Sequence, residues 1–400
     1  MSVLSKSQLE KYADVMVWAL KTARPGFKKY DTVLLRCGLE GRELGELVHR
    51  SLVKEKINVV FRFAATPGLE RDFYEFSDEK QRKFVAAGDE EFARSLNGGI
   101  YIHAPSSLTH LKGIDTSKQS EAALARKFLS DIMTANEAKG KYGWTLCVYP
   151  TGEMAKQAKL SMKDYAAQIA KACFLNEPDP VGKWKEVYKN TTEIKKWLKS
   201  LDIATIRTES KSMDFEIKLG ERRRFLGMSG HNIPSFEVFT SPDWRGTRGH
   251  YYSDQPSFRG GNYVEGISLD FKEGRAVKIS AKKGEEYIRK IMATDAGASQ
   301  VGEYSLTDRR SSRIDRFMAN TLFDENFGGK LGNCHVAIGN SYRDSFDGDV
   351  SKLKKDQEKK LGYNDSAVHW DLVNTEDKKA TATLKNGKKL TIYEKGQFKY

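Results

Sequence analysis

Only four cysteines occur in the 400 residues, Cys37, Cys147, Cys173 and Cys334, and no two of them form a CxxC pair. That spacing argues against a cysteine-built zinc site and against a disulfide framework, and it fits a reducing compartment. No apolar run approaches the roughly 20 residues that span a bilayer, and the first residues lack the basic, then apolar, then small order of a secretory signal. The expectation is a cytoplasmic protein with no membrane contact. HExxH is absent, which removes the commonest single-zinc protease helix. Gly38, Gly41 and Gly45 follow a strand and open a helix, yet they match neither GxGxxG nor GxxxxGK[ST], so turn and packing roles are expected of them. Gly227, Ser229 and Gly230 fall short of a GxSxG nucleophile elbow because His231 stands where the last glycine belongs.

What is present begins with charge. The formal net charge is +13, a value that raises the question of nucleic acid. The basic stretches are diluted, however: Lys352 to Lys360 also carries Asp356 and Glu358, and Lys378 and Lys379 follow Glu376 and Asp377. A solvated face is the expected reading, without a nucleic-acid partner. At this length two or three domains can each bury a core without staples.

Ser7 and Glu10 are spaced as a capping box, and Leu9, Tyr12, Ala13, Met16, Val17 and Leu20 recur at helical spacing, so a first helix is expected before Pro25 and Gly26. Apolar runs at Thr32 to Cys37 and Ile57 to Phe63 flank a helical stretch from Gly41 to Lys54, which reads as a parallel strand-helix-strand unit. Gly99 to His103 and Trp144 to Tyr149 continue the strands, with a helix over Ser120 to Asn136 between them. After helices at Met162 to Leu175 and Trp184 to Leu201 the texture changes to short alternating segments with glycine or aspartate turns. The predicted fold is α/β: an N-terminal domain, residues 1–190, with a largely parallel sheet, and a C-terminal α+β domain, residues 191–400, with mainly antiparallel strands.

In that second half, acids and histidines stand in apolar, strand-like settings where charge is costly to bury. His369-Trp370-Asp371 places a nitrogen and a carboxylate at i and i+2, on one face of a strand. His335 opens an apolar run ending at Gly339, and Tyr342 lies seven residues after it. Glu237 and Glu303 each adjoin bulky strand formers. Each residue alone has a structural explanation as a satisfied core group. Together, two histidines and three carboxylates suit a pair of divalent cations. Ligand type leaves zinc, cobalt, manganese and magnesium open, and the same set could serve a peptidase or a two-metal hydrolase of another ester or phosphoester. A basic nucleic-acid-binding protein with a structural metal is the alternative from a different class.

Several segments, in order, resemble the thermophilic-type metallo-aminopeptidases, the aminopeptidase T, aminopeptidase S and PepS group. They are Asn232-Ile233-Pro234, Glu237 to Pro242, Gly302-Glu303, Thr321 to Asn326, His335 to Gly339, Asn364 to Ser366 and His369 to Asp371. The resemblance implies metal ligation by Glu237, Glu303, His335, His369 and Asp371 and an active-site place for Tyr342; in a two-metal mechanism Glu303 is the candidate for the carboxylate shared between two divalent ions and Tyr342 the candidate hydrogen-bond donor. The resemblance also implies peptide substrates with a free amino terminus and a homodimer. Two departures stand out: the loop Phe327 to Asn333 lengthens the run after Glu325, an additional candidate for the site, and Phe236 precedes Glu237 where a smaller residue is usual.

Overall fold

A computed structural model describes residues 3–400. Its chain contacts separate into two units. The first comprises Met1–Glu186 with two short returns, Met228–Ser235 and Met318–Leu322; the second comprises the remaining segments.

The first unit is built on a five-stranded sheet. β1 (Thr32–Cys37) pairs in parallel with β2 (Asn58–Phe63) and β3 (Gly98–His103), and β4 (Gly143–Val148) pairs in parallel with β3 and with the two-residue strand Asn232–Ile233. Helix α1 (Lys6–Ala23) turns Tyr12, Ala13, Met16, Ala19 and Leu20 inward, and the Tyr12 hydroxyl donates to the Val148 carbonyl at 3.0 Å. The capping box lies two residues earlier than Ser7 and Glu10: Ser5 and Gln8 exchange the two bonds. Both pairs have the right spacing, and the helix takes the one that starts it two residues earlier. The glycines after β1 serve close packing, since a Cβ on Gly38 would lie 2.6 Å from the Ala104 carbonyl oxygen. The near-elbow is also structural in its contacts. His231 places Nδ1 2.5 Å from Ser229 Oγ and Nε2 2.5 Å from Glu137, with its ring edge-on to Trp144, which ties this return to the helix Thr116–Ala138.

The second unit stacks a nine-stranded antiparallel sheet on a four-stranded one. The smaller sheet has the order β8-β7-β6-β5, where β5 is Glu237–Thr240, β6 Val301–Thr307, β7 Asn333–Gly339 and β8 His369–Asn374. All its pairings are antiparallel. The core between the sheets takes Val238, Tyr304, Leu306, Cys334, Val336, Ile338, Trp370 and Leu372 from the smaller sheet and Ile206, Phe215, Ile217, Tyr251, Ile267 and Leu269 from the larger. Tyrosine hydroxyls tie the layers together. Tyr304 meets Thr208 Oγ1 at 2.6 Å, Tyr393 donates to the Thr307 carbonyl at 2.7 Å, and Tyr251 donates to the Leu372 carbonyl at 2.5 Å. Each phenol thus buries its ring and still finds a polar partner.

The apolar residues of the smaller sheet occupy even positions, so strand alternation sends Glu237, Glu303, His335, His369 and Asp371 to the opposite face. Val301, also at an odd position yet in the core, is the exception. The register between β6 and β7 shifts between Val301 and Glu303, an irregularity that buries Val301 in the core and turns Glu303 to the other side.

Candidate metal centre

On that face small residues make the room. Glu303 stands opposite Ala337, His335 opposite Ser305, Asp371 opposite Ala337 and His369 opposite Gly339. The large groups therefore converge above small ones instead of colliding. His335 Nε2 lies 3.0 Å from Glu303 Oε1 and 3.2 Å from Glu237 Oε2. His369 Nε2 lies 3.4 Å from Asp371 Oδ1 and 3.7 Å from Glu303 Oε2. The two oxygens of Glu303 thus face one histidine each. Two overlapping trios result, Glu237, Glu303 and His335, and Glu303, His369 and Asp371, with the ligand atoms of each within 4.8 Å of one another.

The trios differ in exposure. Side chains of the first are 6 %, 4 % and 1 % exposed, whereas His369 and Asp371 retain 25 % and 13 %. Both histidines are oriented from behind. His335 Nδ1 lies 3.2 Å from the Glu325 carbonyl and His369 Nδ1 2.9 Å from the Asn340 carbonyl, so Nδ1–H donates and each Nε2 faces the carboxylates. Ser305 donates to Glu237 Oε2 at 3.1 Å.

Charge in this space is strongly perturbed. Burial first, then Glu237 and Asp371, raise the Glu303 carboxyl to about 7 against the opposing effect of His335. Burial opposes charging His335, but its bonds to Glu237 and Glu303 outweigh that and hold it well above the ordinary histidine value. Burial also opposes charge on His369, yet Asp371 and Glu303 raise it to about 9. Asp371 is held low: burial is overcome by His369, then His335 and Arg259. This set of carboxylate oxygens and oriented imidazole nitrogens fits divalent cations of the borderline class, which would replace these protons as the positive charge.

Glu325 joins the group. Burial and the acids Asp371, Glu237 and Glu303 push its carboxyl well above the usual range. The longer loop after it does not release it, because its carbonyl collects bonds from Asn333 Nδ2 at 3.0 Å, Thr307 Oγ1 at 3.3 Å and His335 Nδ1. Phe236 is buried, and its backbone N–H donates to Asn326 Oδ1 at 2.6 Å. Tyr342 sets its ring edge-on to His369 at 4.9 Å and Phe239 at 5.6 Å. The residue as a whole is 37 % exposed, yet loss of hydration at its hydroxyl, then Glu303, Asp371, Glu325 and Glu237, keep the phenol protonated.

With this geometry, comparison with known proteins is decisive. Residues 5–398 match the thermophilic metalloprotease (M29) family. The chain belongs to that family. It is a metallo-aminopeptidase. Aminopeptidase 2 of Geobacillus stearothermophilus is 27 % identical, over 99 % of this chain and 98 % of its own. Aminopeptidase AmpS of Bacillus subtilis (strain 168) is 30 % identical over 80 % of this chain and 81 % of its own. The fold is shared with the solved structure of wild-type AmpT from Thermus thermophilus, at a TM-score of 0.79 and 20 % identity, over 99 % of this chain and 100 % of that one.

Residues that sequence reasoning missed are Arg259, Asn340, Asn326, Asn333 and Ser305. Asn340, and Glu325 at this point, act through backbone carbonyls, which no side-chain pattern reports. Arg259 follows a different logic: Gly260-Gly261 marks a hairpin, but nothing in the sequence aims that hairpin at His369.

Proposed function

We propose that the chain releases amino-terminal residues from peptides with two divalent cations held by Glu237, Glu303, His335, His369 and Asp371, in the part spanning 191–400. The observation that carries this is the carboxylate of Glu303, whose oxygens face different histidines and so make it the group common to two ligand trios. Bound there, the cations supply Lewis acidity to the scissile carbonyl and lower the pKa of the attacking water. Glu237 completes the inner trio and Asp371 the outer one. Zinc, cobalt, manganese and magnesium are the candidates, with soft-ligand metals disfavoured by the absence of thiolates from the set.

Tyr342 stays protonated among the acids and can donate to the oxyanion that develops on the carbonyl. Glu325 offers a carboxylate to the substrate ammonium: its neighbours disfavour its ionised form, and an incoming cation relieves that. Recognition of the ammonium makes the enzyme an exopeptidase, in line with the names of its relatives. Assembly as a homodimer in the cytoplasm completes the reading, by analogy with the family.

The test uses chelated protein on matched free and N-acetylated peptides and on phosphoesters, with zinc, cobalt, manganese or magnesium restored. Metal-restored cleavage of the free peptides alone is expected; cleavage of phosphoesters alone would sink the proposal. Glu303→Gln should lose at least a thousandfold in kcat while melting as a folded protein. Near-normal turnover by that variant would remove Glu303 from its role.

A further inference from the structure

Arg259 ends a short strand, Ser257–Arg259, which pairs with Asn262–Lys272. The two-residue turn between them, Gly260 and Gly261, has φ of 50° and 68°, positive at both positions as a tight hairpin of this hand requires. The turn sets the pairing that places Arg259 opposite Asn262.

Three consecutive residues of β8 receive Arg259. Its Nη1 donates to the His369 carbonyl at 2.6 Å, and its guanidinium lies over the Trp370 ring at 5.4 Å. Its charge favours the ionised carboxylate of Asp371. Trp370 is itself fixed, by Nε1 donating to Ser257 Oγ at 2.9 Å and by an edge-on contact with Tyr287 at 5.9 Å.

The position along β8 matters as much as the contacts. β8 is an edge strand of its sheet, bonded on one side to β7. The Val368 carbonyl accepts from Asn340 N at 2.7 Å, so the next carbonyl, that of His369, points to the outer edge. Farther along, that edge is held at the Val373 carbonyl, by Ser253 Oγ at 2.9 Å and by Gln255 N at 3.3 Å. Those anchors lie beyond both ligands. At the ligand end the bond from Arg259 restrains the strand, and a carbonyl left bare on an edge is free to shift.

We infer that Arg259 is the positioning residue of the outer trio: it holds the start of β8 so that His369 and Asp371 meet the cation they share with Glu303. The inference rests on the two-cation reading. Arg259 makes none of these contacts with Glu237 or His335, so the inner trio is assembled without it. A guanidinium suits the task because its planar fork can bond a carbonyl while its face covers an indole.

The experiment is a calorimetric zinc titration of the full-length, chelated protein, comparing wild type with Arg259→Met and Arg259→Lys. Wild type should take up two ions in two phases. Arg259→Met should weaken one phase by about 10- to 100-fold, the range found when groups that orient metal ligands are removed. The other phase should stay within about twofold. Arg259→Lys, which keeps the charge and one donor but not the planar contact, should recover part of the loss. That split separates positioning from general destabilisation, which would weaken both phases. Should Arg259→Met not fold, Arg259→Lys carries the test with a smaller loss confined to the same phase. Two phases in wild type with neither changed in the variants, both weakened equally, or one tightened, each overturns the inference alone. A wild type that binds a single ion overturns the two-cation reading and the inference with it.

Discussion

Tyr342 and Lys378 show what one residue's surroundings can do. Tyr342 keeps its proton because its hydroxyl has lost water and faces four carboxylates, so it remains a donor throughout the working pH range. Tyr342→Phe should lower kcat by about 10²- to 10³-fold, the usual effect of removing one oxyanion donor. KM and metal content should hold, and steady-state kinetics with metal analysis would expose a purely structural role as a fall in metal content. Lys378, 2 % exposed, is lowered from 10.5 to about 8, chiefly by burial. The unfolded chain then holds the extra proton between those two pH values, so the penalty on folding is full below pH 8 and fades as pH rises toward 10.5. A displacement of that size corresponds to about 3 kcal/mol. Lys378→Met should therefore be more stable than wild type at pH 7 and lose that advantage near pH 10. Urea unfolding at both values tests it, and a variant weaker at neutral pH would contradict the sign.

Among the elements, β6 does the most delicate work, because one irregularity lets a strand feed the core with Val301 and the site with Glu303. Gly302 makes it sterically feasible: a Cβ there would lie 2.2 Å from the Asn340 carbonyl oxygen and 2.4 Å from that of Gly339. Backbone cannot yield as a side-chain tip can. Gly302→Ala should cost about 2 kcal/mol or more. Because the same Asn340 carbonyl accepts from His369, metal uptake should fall together with stability. Parallel melting and zinc-binding curves would show both, and a variant with wild-type zinc affinity would mean that the shift in β6 does not set the position of Glu303.

At the scale of the molecule, Glu237, Glu303, Glu325, Asp371 and two imidazoles are gathered in one largely buried space, a costly arrangement unless cations compensate it. Ligands that bind the folded chain alone stabilise it by mass action, about 4 kcal/mol for an ion at a thousand times its Kd. Chelation should thus lower Tm by on the order of 10 °C for a protein of this size, and added metal should restore it. Scanning calorimetry with and without chelator makes the comparison; an unchanged Tm would mean that the acids are satisfied without metal. No helix among the described residues is long and apolar enough to cross a membrane.

The sequence by itself determined the faces of the strands. Strand period puts His369 and Asp371 on one side and Trp370 on the other, and the same rule sorts His335 from Cys334 and Val336, so the candidate ligands were legible wherever a strand could be recognised. The alternation of strands and helices in the first half likewise made its parallel sheet legible. Only the tertiary structure decided which faces meet. Glu237, Glu303, His335 and Asp371 come from four separate strands, and local patterning carries no information about a register between segments tens of residues apart. Nor does it show which backbone carbonyls will turn toward a histidine, or that a glycine hairpin will lay Arg259 against the strand bearing His369 and Asp371, because those contacts are made by packing rather than by period.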